Sequence, residues 1–412
     1  MSAQPIAERP AHVPLDRVVD FDMYHPAGVE QDFHASWRRL QAPGTPDIVW
    51  TSRNGGHWIA TSGRVIRQIF ADFEHFSSRV ILVPKVMGEL HKMIPTTLDP
   101  PVHRPFRALL NDSLAPKTID AMESRIRAIA AGLVEQVRAE GRCNFTTAYA
   151  ELFPVRIFMG IVDLPVADAP MIKHWADLMI RPDGRTPFEV AKQKIYDYMT
   201  PHIAARRGSS GTDLISRLAN GKIGDRPLTL EEALDFASQV MIAGLDTVVN
   251  FLGFAFLFLA RNPSHRRQLA QHPALIPEAV QELFRRFPIV TVAREVRADI
   301  EYEGVALRRG DMIVIPTPLV GTDERLNPHS LDVDFHRAGA QHATFGNGRH
   351  ICAGAHLARL EIRVTIEEWL ARIPEFEVEP GAVLRFHSGI VGVIEALPLV
   401  WDVSTTCAVT TP

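Results

Sequence analysis

At 412 residues, with 46% hydrophobic and 22% charged side chains, the chain can bury a large core and is composed like an ordinary globular protein. A formal net charge of −4 and the lack of any long basic run exclude nucleic-acid binding driven by bulk charge. Three cysteines (Cys143, Cys352 and Cys407) in so long a chain exclude a disulfide framework, and a reducing, cytoplasmic setting is the expectation.

In chain order, MSAQPIAERPAHVPLD carries prolines and charges but no apolar centre, so residues 1–20 read as a surface arm and not a secretion signal. IVWTS and HWIAT flank Asn54-Gly55-Gly56 and predict a hairpin. From about Val65 to Arg285 the pattern is mostly helical, broken at Pro84, Asp99-Pro100-Pro101 and Pro227. The longest helix should begin after Thr229, where Glu232 completes a capping box, and stop near Asn262-Pro263. That makes a rod of about 50 Å at 1.5 Å per residue. Its stretch from Met241 to Ala260 has the length to cross a bilayer, but Asp246 and Asn250 lie inside it. It reads as a core helix, and no membrane partner is expected. Ile300 to Thr317 predicts strand, turn, strand, and the tail after Pro374 is again strand-like. Without βαβ alternation or repeats, the expectation is a predominantly α-helical α+β fold with small antiparallel sheets, one domain over residues 1–412.

The stretch TFGNGRHICAGAHLARLEI, Thr344 to Ile362, sets Cys352 among Gly346, Gly348 and Gly354, just before a helical pattern. The helix start should favour the thiolate through its unpaired N–H groups and dipole. Four uses of the sulfur are open. It is a buried structural thiol; a zinc ligand with His350 and His356, though no second ligand pair has the usual spacing; a nucleophile with a histidine base; or the axial ligand of a haem iron. For the last, the glycines would let the backbone approach a flat macrocycle, and Phe345 would pack beside it.

The run from Phe345 to Gly354 resembles the haem-binding loop of the cytochrome P450 family, F-G-x-G-x-(R or H)-x-C-x-G, with every fixed position filled. Glu282-Leu283-Phe284-Arg285 is similar to that family's E-x-x-R motif, and Asp334-Phe335-His336-Arg337 to its following meander. The resemblance implies haem b as cofactor, Cys352 as its iron ligand, and a buried ion network of Glu282, Arg285 and Arg337. Ala243-Gly244-Leu245-Asp246-Thr247 looks like the family's oxygen-activating groove. An acid and an alcohol inside an apolar helix need a purpose in any case, since burying them unpaired costs on the order of several kcal/mol. Gly244 is expected to leave room for dioxygen, while Thr247 bonds back to a carbonyl and, with Asp246, passes protons. Alternatively, Asp246 pairs with an Arg or Lys. His103, Arg107, Arg294 and His350 resemble the partners of the two haem propionates.

The likeness is sharpest to the bacterial camphor hydroxylase branch, in IPTTLDPP, GLDTVVNFLGF and SGIVGVIEALPLVW. It implies a soluble monomeric monooxygenase that uses O2 and takes two electrons from NADH through a reductase and a [2Fe–2S] ferredoxin. The ferredoxin would dock near Arg67, Arg104, Arg107, Arg349 and Arg359. Two positions depart from that branch: His91 replaces a substrate-binding tyrosine, and Val292 replaces an acid. His91 either donates to a substrate carbonyl or points to solvent. The implied pocket walls, Leu82, Thr97, Leu98, Ile242, Val290, Ile390 and Val391, are mainly aliphatic. They suit a terpenoid or norisoprenoid ketone of ionone type, with a camphor-type monoterpene as alternative. A haem sensor would have no use for Asp246-Thr247, and a peroxide-driven hydroxylase usually lacks that pair.

Overall fold

The computed structural model describes residues 6–90, 92–180 and 185–406. The hairpin forms where left-handed conformations are affordable: Asn54, Gly55 and Gly56 take φ of 53°, 84° and 80° between β1 (Ile48–Thr51) and β2 (His57–Ala60). The strands pair antiparallel from Ile48↔Ala60 to Thr51↔His57, and every residue in both is buried. The arm does not float free. Val19 N–H donates to the Trp50 carbonyl, Ala7 N–H to the Ser52 carbonyl, and the His12 ring meets Asp311.

Helix α1 (Gly63–Ala71), capped by the Ser62 side chain, leads to β3 (Phe76–Ser77). The helical half follows with α2 (His103–Asn111), α3 (Glu123–Arg138), α4 (Leu152–Val162), α5 (Phe188–Arg206), α6 (Leu230–Arg261) and α7 (Ile276–Arg286). Strands β4 (Thr291–Val296) and β5 (Met312–Pro316) return to the sheet, and α8 (Ala355–Arg372) closes the core. The sheet order is β1-β2-β5-β4-β3, antiparallel except where β5 runs parallel to β2. The span 300–317 therefore holds three strands and not two. Ile300–Tyr302 and Val305–Leu307 form a hairpin about Glu303-Gly304, and β5 leaves for the larger sheet after Gly310, whose φ is 88°.

Helix α6 starts with the expected reciprocal cap between Thr229 and Glu232. Arg226, followed by the Thr229 N–H, holds the Glu232 carboxyl down at about 2 against the desolvation that would raise it. Its 32 residues are long and apolar enough to cross a membrane, yet 67% of the apolar window is buried inside the protein. Phe256 stacks on Phe145 at 4.2 Å and lies edge-on to Trp369 of α8. Midway along this buried rod Ala243 is exposed and Gly244, Thr247 and Val248 are half-exposed, between buried neighbours.

Candidate active site

The loop carrying Cys352 is shaped by its own backbone and by two helices. Thr344 Oγ1 donates to the Phe284 carbonyl at the end of α7, and Asn347 Nδ2 to the Arg67 carbonyl in α1. Gly348, at φ 72°, presses on α1 so closely that a Cβ would lie 2.8 Å from Ala71 Cα. Cys352 N–H donates to the Phe345 carbonyl at 2.8 Å and closes the loop, with Gly346 at φ 73° inside it and Gly354 next to α8. The Phe345 ring is held between Phe284 and the Arg359 guanidinium. Cys352 keeps accessible surface although protein packs around it, so it borders open space within the fold. Burial pushes its thiol above the ordinary value, outweighing the Gly354 N–H, Arg107 and Arg359 that favour thiolate. The helix start alone does not make the anion. A bound metal cation removes such a proton outright.

The opening on α6 supplies the second element. Thr247 Oγ1 donates back to the Ala243 carbonyl at 3.3 Å. Buried Asp246 accepts from Asn250 Nδ2 at 2.9 Å, and the same nitrogen reaches the Asp246 carbonyl. Gly244 does not provide the expected room: a Cβ there would sit 2.3 Å from the Phe158 ring of α4, so its bareness admits that ring. Ala243 is the residue left open. The i−4 reach of a threonine hydroxyl would have pointed to it, where an i−3 reading picked Gly244.

Positive charge forms the third element. The rings of His103 and His350 lie 4.2 Å apart, and both Nε2 atoms are enclosed without a hydrogen-bond partner among the described residues. Arg294, 4% exposed, donates to the Ala293 carbonyl and lies over Phe70; it makes no ion pair among the described residues, and Asp99 only partly offsets its burial. Burial draws its guanidinium down to about 10. Burial and then Arg294 take His350 to about 3, while burial and Arg107 lower His103. A buried guanidinium beside two orphaned imidazole nitrogens is a donor set made for anions. The two carboxylates of haem b fit it, with the Cys352 sulfur available below. Arg107 Nη2 donates to the Ile351 carbonyl at 2.6 Å, beside the sulfur. His356 turns to Asp120 at 2.7 Å, and among the described residues no three His, Cys, Asp or Glu side chains gather as a metal centre.

A buried joint braces the loop. Glu282 is held by both forks of Arg285 at 2.7 and 2.8 Å and by Arg337 Nε at 3.0 Å. The remaining donors of Arg285 bind the carbonyls of Gly321, Ser330 and Asp332, and those of Arg337 bind Pro328, His329 and Asp332. A Cβ on Gly321 would lie 1.7 Å from the Arg285 carbonyl.

Of the expected pocket walls, Leu82, Ile242 and Val391 are buried, and Thr97, Leu98, Val290 and Ile390 half-buried. Val290 and Val391 bridge as isolated β partners, and Thr317 Oγ1 donates to the Val290 carbonyl. Val292 shares an apolar crevice with Leu82, Ile390 and Tyr24. His91 lies outside the described residues. Arg104 and Arg349 are exposed and Arg67, Arg107 and Arg359 half-buried.

The family model described as Cytochrome P450 matches residues 155–385. A probable cytochrome P450 127A1 from Sinorhizobium fredii is 33% identical over 400 residues, covering 95% of this chain and 96% of the relative. Among solved structures, CYP101J2 is 48% identical with a TM-score of 0.89, and CYP101C1 is 39% identical with a TM-score of 0.88. Each match covers 96% of this chain and 100% of the other. With these matches, and with a cysteine loop, a threonine-opened helix and an anion-seeking cluster in one fold, the chain belongs to the cytochrome P450 family of haem-thiolate monooxygenases.

Proposed function

We propose that this P450 hydroxylates a compact hydrophobic terpenoid or norisoprenoid. The supporting observation is the aliphatic character of the expected pocket walls, where Leu82, Ile242, Val290, Ile390 and Val391 offer shape without charge. Held by the Cys352 thiolate, the haem supplies oxygen activation: with two electrons and two protons, one atom of O2 enters a C–H bond and the other leaves as water. Phe345, Gly346 and Gly354 shape the sulfur's seat, and His103, Arg107, Arg294 and His350 take the propionates. Thr247 presents its hydroxyl to the hollow by giving up the Ala243 carbonyl, and Asp246, its carboxylate oriented by Asn250, carries protons inward to it.

Electrons come from a [2Fe–2S] ferredoxin reduced by an NADH-dependent reductase. Arg67, Arg104, Arg107, Arg349 and Arg359 make no ion pair among the described residues, and all but Arg104 lie in or against the Cys352 loop, which suits an acidic partner. The protein works as a cytoplasmic monomer with one catalytic unit. The test is an optical titration of the oxidised protein. Ionone-type ketones and monoterpenes should move the haem from low to high spin. Polar acids that do so while terpenoids do not would overturn the substrate class.

A further inference from the structure

Gln239 interrupts the apolar run of α6 between buried Ser238 and Val240. It lies four residues before Ala243 and eight before Thr247, so the three occupy one helix stripe. Ala243 and Thr247 are open on that stripe, and Gln239, one turn further along it, is half-buried. Its Oε1 is enclosed and has no hydrogen-bond partner among the described residues. Of the other polar groups described near these walls, Thr247 bonds to the Ala243 carbonyl and Thr97 Oγ1 accepts from the Met93 N–H, while Thr291 Oγ1, beside Leu82 and Ile390, also has no partner among the described residues. A buried acceptor left unpaired is costly, and a leucine would fill the position without that cost.

We propose that the Gln239 carboxamide is the polar anchor of the substrate chamber and accepts a hydrogen bond from a hydroxyl group on the terpenoid. This rests on the substrate reading above and refines it. An alcohol donates to Oε1 and ends its isolation; a ketone, which only accepts, does so only if the amide turns over; a hydrocarbon leaves it unpaired. The anchor fixes which end of the molecule faces away from the sulfur, and so which carbons lie beneath Thr247. It is a specificity residue, distinct from the proton-handling pair.

The experiment uses the holoenzyme and three probes of one skeleton: menthol, menthone and p-menthane, followed by the spin-state titration. In the native protein menthol should bind about tenfold tighter than p-menthane, with menthone between, as one neutral hydrogen bond allows. Gln239→Met, close in shape but without the amide, should bring the three to within about twofold, with an unchanged spectrum of the reduced, carbon monoxide-bound form. Equal affinities in the native protein, or an equal loss for all three in Gln239→Met, would overturn the anchor alone. No response to any probe in the native protein would overturn the terpenoid reading and the anchor with it.

Discussion

A hydroxyl that donates to the carbonyl four residues back loosens the helix it belongs to, and Thr247 does this to Ala243 where the middle of α6 is open. Removing it leaves the cysteine, the anion rim and the walls intact. Thr247→Ala should keep NADH consumption with a ferredoxin system but lower product formed per electron pair by about tenfold or more, with hydrogen peroxide making up the balance. Unchanged coupling would remove Thr247 from the proton path. Gly244 tests a different matter. Gly244→Ala should destabilise the protein by about 1–3 kcal/mol through collision with the Phe158 ring, and Phe158→Leu in the same chain should recover part of that loss. Denaturant midpoints report both. At this scale the thiol, the acid and the alcohol were legible because a loop motif and an interrupted apolar helix mark them. Ala243 and Gln239 were not, because a helix hydrophobic on nearly every side does not reveal which stripe faces a hollow.

Helices and loops here are joined by guanidinium groups as much as by apolar contact. Glu282 and Arg285 are 2% and 0% exposed, so cutting one partner strands a buried charge. Arg285→Lys keeps the charge but loses the fork that reaches Glu282 and three carbonyls at once. It should cost about 3–5 kcal/mol, seen as early denaturation and haem release on heating, with the cysteine loop sequence untouched. A variant as stable as the native protein would deny the joint its bracing role. Much of this level could be read in advance: the Asn54-Gly55-Gly56 hairpin and the Thr229 cap follow from local chemistry. The parallel meeting of β5 with β2 could not be, because it joins residues more than 250 positions apart and no local pattern encodes it.

For the molecule as a whole, acid should be the weak side. Burial holds His34 neutral down to about 3, reinforced by Arg286, and holds His57 neutral down to about 4, against an ordinary value of 6.5. An unfolded chain takes up these protons as pH falls through the ordinary value, and the folded chain does not until much lower. Stability is therefore present above about pH 6.5 and lost as pH falls toward 4, at up to about 1.4 kcal/mol per pH unit for each histidine. Denaturant unfolding at pH 7 and pH 5 checks the slope; equal midpoints would mean the imidazoles are charged inside. The arginine face gives a second global test. Turnover with an acidic ferredoxin should fall steeply as ionic strength rises, and Arg104→Gln with Arg349→Gln should flatten that dependence.

The stretch between Gly321 and Asp332 carries the remaining lesson. Two side chains from elsewhere, Arg285 and Arg337, grip five of its carbonyl oxygens. Its course is thus cast on a mould it does not itself contain, and transplanting those residues alone into another scaffold should yield an unstructured tether. Since guanidinium keeps its proton in any alkali a cell meets, the mould should hold at high pH where an ammonium clasp would let go.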